Sequence, residues 1–235
     1  MRNFGGSIAS IVILSSITLN AASADADLTR ARDRQDLPAL DALIAQYKKI
    51  MESQTKSAGA QYQLALAYSY AAEVAYEVRD KRRSESYAVN GLDAAQKAVA
   101  INGGDAEYHR MLGSLCAQVI PANPLMGALK YGNCAKDEIE KAISLDANLA
   151  LAYVSRGVGN YYLPQQMGGS PTLALKDLDK AVALDPKSAE AYLWKGVVLR
   201  KMNRYAEARS ALENSLKLDP DRIWAKQQLE KIPAH

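Results

Sequence analysis

Phenylalanine is nearly missing from this chain of 235 residues: Phe4 is the only one. Histidine occurs only as His109 and His235, and cysteine only as Cys116 and Cys134. So few histidines leave little for a histidine-rich metal centre or a Ser-His-Asp arrangement. Two cysteines exclude the disulfide framework of a small secreted scaffold. Neither charge sign is in marked excess, with 29 Lys+Arg against 26 Asp+Glu and a formal net charge of +3. That balance points to neither nucleic acid nor an anionic surface as partner. There is no Walker motif, no H-E-x-x-H and no C-x-x-C. Gly103-Gly104 and Gly168-Gly169 read as turns, where glycine's backbone freedom is useful. No nucleophile, base and orienting group stand out together, so the expectation is a protein without enzymatic activity, cofactor or metal.

Long apolar runs are also scarce, with one exception near the start. Ser7 to Leu19 reads SIASIVILSSITL, preceded by Met1-Arg2-Asn3 and followed by Ala22-Ser23-Ala24. A short positive end, an apolar stretch and small residues before Asp25 are the layout of a secretory signal peptide cleaved after Ala24. A spanning helix needs about 20 apolar residues, and this run is shorter and broken by serines. The expectation is a signal peptide over 1–24, a periplasmic or secreted product, and no stable membrane insertion after cleavage.

What fills the remainder is repetition. Residues 189–222 read AEAYLWKGVVLRKMNRYAEARSALENSLKLDPDR, a 34-residue unit. It places Tyr192 at position 4, Gly196 at 8, Tyr205 at 17, Ala208 at 20, Leu212 at 24 and Pro220 at 32. The frame recurs upstream. Residues 150–188 carry Tyr153, Gly157, Ala174, Leu178, Ala181 and Pro186 at the matching positions. Residues 106–149 carry Leu112-Gly113, Ala135, Ile139 and Ala142, and residues 58–105 carry Leu64-Ala65, Tyr68, Gly91, Ala95 and Ala98. Small residues at positions 8 and 20 suit two antiparallel helices that cross closely. Asn203 suits a left-handed helix end, and Asp219-Pro220 a stop. The extra length of the 106–149 unit is expected between its helices, around Val119 to Gly132. That of the 150–188 unit is expected in the turn Leu163 to Pro171. Both helices of the 58–105 unit are expected to be longer than usual.

This pattern resembles the tetratricopeptide repeat. The resemblance implies an all-α, right-handed solenoid of helical hairpins. It would have about four repeats (58–105, 106–149, 150–188, 189–222), an N-terminal hairpin over 25–57 and a capping helix and tail over 223–235. Asp36 suits the N-cap of a helix running to about Ser53, with Pro38 in its first turn. In such repeats the first helices line a concave, partner-binding surface. Carried over, that face takes Tyr62, Leu66 and Ser69 from the first unit, and Glu107, Arg110, Ser114 and Ala117 from the second. The third supplies Leu151, Val154, Val158 and Tyr161, and the last supplies Glu190, Leu193, Val197 and Arg200. Cys116 and Cys134 fall at facing positions of one hairpin, and an oxidising compartment favours a disulfide between them. Two buried free thiols are the other reading. His109 takes a position where an aromatic ring packs. Asp137 with Lys141, and Asp177 with Lys180, read as ion pairs on solvated helix faces.

The function this reading implies is an exported scaffold that binds a protein or peptide in its groove. The alternative is a periplasmic accessory protein that binds a small or lipid-like apolar ligand for a transporter, since Val154, Val158, Leu193 and Val197 make half of the groove apolar. The capping helix with Trp224, or the insertion from Pro164 to Pro171, could instead cover that half.

Overall fold

Turns divide the chain into helices, and six of those helices open on a side-chain cap. A computed structural model describes residues 25–120 and 124–233; the export segment expected over 1–24 lies outside them. The order is α1 (residues 25–33), α2 (Leu37–Ser53), α3 (Ala58–Glu77), α4 (Lys81–Ile101), α5 (Ala106–Val119) and α6 (Pro124–Leu145). Then come α7 (Ala150–Tyr162), α8 (Pro171–Leu184), α9 (Ala189–Lys201), α10 (Tyr205–Leu218) and α11 (Ile223–Glu230). No strand occurs among the described residues. The fold is an all-α stack of antiparallel hairpins, and each of the four repeat frames opens on the first residue of a helix.

The boundaries have local causes. Asp36, Ser57, Asp80, Asp105 and Ser188 each accept a hydrogen bond from a backbone N–H in the first turn of the next helix. Those groups lack an intrahelical partner, so each cap stabilises its helix by about 1 kcal/mol. Three hairpins turn the same way, through a left-handed residue that ends the first helix: Gln35, Arg79 and Asn203, with φ of 52, 67 and 60°. In each, the next residue's N–H reaches back to the preceding helix, as from Asp36 to the carbonyl of Ala31 at 2.8 Å. This closes the helix end in the manner of a Schellman motif.

Within each of the four repeat hairpins the helices meet at a glycine, Gly91, Gly113, Gly157 or Gly196. A Cβ on Gly196 would lie 2.5 Å from Leu212 Cγ and 3.1 Å from the carbonyl of Ala208. One on Gly113 would lie 2.7 Å from Ile139 Cγ1. These contacts join repeat positions 8, 20 and 24, and they are why position 8 stays small. The core follows in two large clusters and a small third of Ala72, Ala88 and Val119. The first holds Leu28, Leu40, Ile44, Tyr68, Met111 and Leu115; the second holds Leu178, Leu193, Val197, Leu212 and Trp224.

Two expectations change. The extra residues of the 106–149 unit form no long loop. Helix α6 starts at Pro124 and runs for 22 residues, so most of the added length is helix. Proline is well suited to a first helical turn, and Met126, Ala128, Leu129 and Lys130 favour its continuation. Asp177, read as a solvated partner of Lys180, is buried instead. It accepts hydrogen bonds from Arg156 at 2.7 and 3.1 Å and from Asn160 at 3.1 Å. Neighbouring helices turn that face inward, and Lys180 lies over the ring of Tyr153. The insertion from Pro164 to Pro171 forms one 3-10 turn, Gln165–Met167, and Gly168 reverses it at φ 90°.

Candidate functional site

The first helices of the hairpins, α3, α5, α7 and α9, stand side by side and carry the face that the repeat frame assigns to the inside of the coil. On that face the structure divides the expected residues. Val154, Leu193 and Val197 are buried in the C-terminal core. Tyr62, Leu66, Arg110, Ser114, Val158, Tyr161 and Arg200 are half-buried. The middle of the face is a hydrogen-bonded strip. The Tyr62 hydroxyl donates to Glu107 at 2.8 Å, and Arg110 Nε donates to Glu107 at 2.7 Å. Ser114 and Ser155 share a hydrogen bond of 3.0 Å across α5 and α7. Desolvation works to raise the Glu107 carboxyl, but the paired Arg110 and the Tyr62 hydroxyl hold it below its ordinary value. The strip therefore presents a fixed guanidinium flanked by hydroxyls.

The two ends of the coil also meet here. Arg222, just before α11, is 1% exposed. It donates to Glu73 at 2.5 Å and to Glu77 at 2.5 and 3.1 Å, both on α3, and lies 3.8 Å from Asp33 of α1. Arg32 of α1 pairs with Asp33, lies 3.7 Å from Glu190 of α9, and stacks over the ring of Tyr70 at 4.7 Å. Arg34 pairs with Asp221 at 3.0 Å, and the amides of Gln35 and Gln227 exchange hydrogen bonds of 3.3 and 3.1 Å. Beside this seam, aromatic rings step across the coil. Tyr76 of α3 meets Tyr162 of α7 at 6.2 Å, Tyr162 meets Trp194 of α9 at 6.0 Å, and Trp194 meets Trp224 of α11 at 5.0 Å. The capping helix thus covers the apolar C-terminal part of the inner face. The insertion from Pro164 to Met167 stays exposed.

In the seam Asp33, Glu73, Glu77 and Glu190 meet Arg32 and Arg222, so acids outnumber guanidinium groups among these partners. Desolvation, with Glu190 and Glu77 nearby, outweighs Arg222 and pushes the Glu73 carboxyl from 4.5 up to about 8. Burial, then Asp219, raises Asp33 against the pull of Arg32. None of the seam residues beyond Glu190 belongs to the groove set expected from repeat positions. One signal was available: Glu73 and Glu77 stand four residues apart in the otherwise apolar run AAEVAYE of α3.

Cys116 and Cys134 form a disulfide between α5 and α6, with Cα atoms 6.0 Å apart. His109 is buried. Its Nδ1 lies 2.5 Å from Glu138 and its Nε2 3.0 Å from the carbonyl of Gly103, which ties α5 to α6 and to the preceding turn. No group of three or more His, Cys, Asp or Glu that could hold a metal ion occurs among the described residues. No described helix is long and apolar enough to cross a membrane.

Comparison with known proteins divides the chain within the third hairpin, between α7 and α8. The family model described as Regulator of microtubule dynamics protein 1-3 matches residues 23–167, and a tetratricopeptide-repeat model matches residues 168–229. Regulator of microtubule dynamics protein 3 of Bos taurus is 30% identical over 96 residues, 41% of this chain and 20% of its own length. The Xenopus laevis protein of that name matches over the same shares at 30% identity. The match thus spans about a fifth of the curated relatives' length. Among solved structures, a thermophilic tetratricopeptide-repeat protein of Thermus thermophilus superposes with a TM-score of 0.61. It is 17% identical, and the match covers 83% of this chain and 92% of that one. At that identity the likeness speaks for the fold.

Proposed function

The chain belongs to the regulator of microtubule dynamics protein 1-3 family and is built on tetratricopeptide repeats, and on that premise we propose that it is an exported, non-enzymatic adaptor that holds a protein partner against its inner face. The observation that carries this reading is the polar strip on that face, Tyr62, Glu107, Arg110, Ser114 and Ser155. Its side chains are already ordered by one another, so a peptide that docks there need not fix them at its own entropic cost. Arg110 spends Nε and Nη2 on Glu107, and its Nη1, 3.5 Å from the hydroxyls of Ser114 and Ser155, is the donor that remains for a partner's carbonyl or carboxylate. Export is supported by the layout of residues 1–24 and by the disulfide Cys116–Cys134, since such bonds persist in oxidising compartments. The name of the relatives refers to microtubules. What is carried over is the repeat architecture of the shared segment, and microtubule regulation is not part of the proposal.

The test is crosslinking followed by co-purification from the native cell envelope, with wild type beside Ser114→Trp. A tryptophan there fills the strip between α5 and α7. The expected result is a partner captured by wild type and lost from the variant at unchanged helicity. Equal capture by both would remove the inner face as the binding surface. A protein retained whole in the cytoplasm, with residues 1–24 uncleaved, would overturn export.

A further inference from the structure

The turn from α3 into α4 reads Val78-Arg79-Asp80-Lys81-Arg82-Arg83. Asp80 caps α4, and Arg83 pairs with Asp41 at 2.9 Å. Arg79, Lys81 and Arg82 are exposed, and among the described residues none of them is in an ion pair. Lys81 and Arg82 stand in the first turn of α4, which holds no acid. The helix dipole disfavours cations there, so helix stability does not account for them. The near balance of charge over the whole chain thus conceals a local excess. Other ends meet this turn. Tyr76, in the last turn of α3, packs on Tyr162 at the end of α7. Lys201, at the end of α9, lies 4.2 Å over the ring of Tyr161 and donates to its backbone carbonyl at 3.0 Å. Lys231, just after α11, is held below its ordinary value by partial burial, then by the nearby Arg200 and Arg79. Of the acids nearby, Glu77 is taken up by Arg222 and Gln35, Asp80 by the cap, and Glu230 offsets one cation.

Apolar side chains stand out among these cations. Tyr76, Val78, Tyr162, Leu163 and Met167 are all exposed, Met167 at 56%. Leu163 and Met167 belong to the turn between α7 and α8. The N–H of Gly169 closes that turn on the carbonyl of Pro164, and the N–H of Ser170 ties it to the carbonyl of Asn160, each at 3.0 Å. The two side chains are therefore held out beside the end of α7. Aliphatic tips, tyrosine rings and a rim of Lys and Arg together match the surface of an anionic bilayer. Aliphatic side chains enter its acyl boundary, tyrosines settle at headgroup level, and long cationic side chains extend to the phosphates. A folded partner would have to match these tips in shape, whereas lipids conform to them. We propose that this side of the coil docks peripherally on an anionic lipid bilayer, with Leu163 and Met167 at the acyl boundary and Arg79, Lys81, Arg82, Lys201 and Lys231 at the headgroups. The contact is independent of what the inner face holds.

The test labels the full-length protein with an environment-sensitive fluorophore at Met167→Cys or, at the far end of α8, at the exposed Lys187→Cys. Cys116 and Cys134 are joined to each other, so the added thiol takes the label. Vesicles of phosphatidylcholine with about 30% phosphatidylglycerol are expected to blue-shift the label at position 167 and leave that at 187 unchanged. In vesicle sedimentation of the unlabelled protein, Arg79→Gln should weaken binding about fivefold. Gln35 holds the matching left-handed turn position, so this change keeps the backbone. Met167→Ser should weaken binding about tenfold. Circular dichroism equal to wild type shows that both variants keep the fold. Every variant retains residues 1–24, so attachment through that segment is common to all. Ser114→Trp should bind vesicles as wild type does, which separates this result from that of the inner face. Equal shifts at the two label positions overturn the proposal, and so does vesicle binding unchanged in both Arg79→Gln and Met167→Ser. A shift at position 167 produced by polyglutamate and not by vesicles would give the patch to an acidic protein, and would also overturn it.

Discussion

The two halves of the coil are built from the same unit at different lengths. In the C-terminal half, α7, α8, α9 and α10 have 13, 14, 13 and 14 residues. In the N-terminal half, α3, α4 and α6 have 20, 21 and 22. The seven residues by which α3 exceeds α9 amount to about two turns, or about 10 Å. Those turns carry Glu73, Tyr76 and Glu77, the residues that reach Arg222 and Tyr162 on the far side. The short half is thus a plain repeat stack, while the long half uses the surplus of α3 for contact with the other end. Extra length in a repeat is not necessarily a tolerated insertion; here it supplies the clasp.

The strongest way to break this comparison is to remove the arginine at its centre. Arg222→Ala leaves Glu73, Glu77 and Asp33 desolvated without that counter-charge. It is expected to cost about 3–5 kcal/mol in urea unfolding. A loss below about 1 kcal/mol, the range of an exposed ion pair, would show that the ends are not coupled. Next comes the disulfide, which staples only the long half. Reduction should cost about 3 kcal/mol, a model-dependent figure. Hydrogen exchange should quicken in α5 and α6 and leave α9 and α10 slow; a uniform rise along the chain would contradict the local role. Glycines sharpen the contrast within the short half. Gly196→Ala places a methyl against Leu212 and is expected to destabilise by about 1–3 kcal/mol. Gly159→Ala, in a helix with nothing near its Cβ, is expected to stabilise by up to about 1 kcal/mol. Equal melting temperatures for the two would refute the close crossing.

The last test is one of pH. The Glu73 carboxyl is raised in the folded protein, so the folded state holds its proton where the unfolded state has released it. Its contribution is fully present below about 4.5 and is lost as pH rises through about 8. Glu73→Gln keeps an acceptor for Arg222 and should flatten that decline, with its gain over wild type largest near pH 8. A wild type and variant whose stabilities run parallel from pH 4.5 to 8 would remove Glu73 as the cause.

Local features were legible in the residues alone. The frames opening at Ala58, Ala106, Ala150 and Ala189, the left-handed turn at Asn203 and the cap at Asp36 all depend on neighbours a few positions away. The clasp was not legible, because it joins residues 145 to 192 positions apart. Such pairs depend on the accumulated rotation between repeats, which no single repeat encodes. Asp177 was misread for a related reason. Its face of α8 looks solvated in isolation, and only the approach of Arg156 from α7 buries it. Likewise, Leu193 and Val197 sit at groove positions of their repeat, yet they lie in the core that Trp224 joins.

The meeting of Arg222 with Glu73 and Glu77 also bears on how this molecule can change over generations. An open solenoid can gain or lose a unit by duplication or deletion, because each unit answers only to its neighbours. Here the removal of one repeat would swing Arg222 away from its acids and strand three carboxylates in the interior. The clasp therefore counts the repeats. It ties the number of hairpins between α3 and α11 to the pairing of Arg222 with its acids, and leaves helix lengths and the turns at the rim outside that constraint.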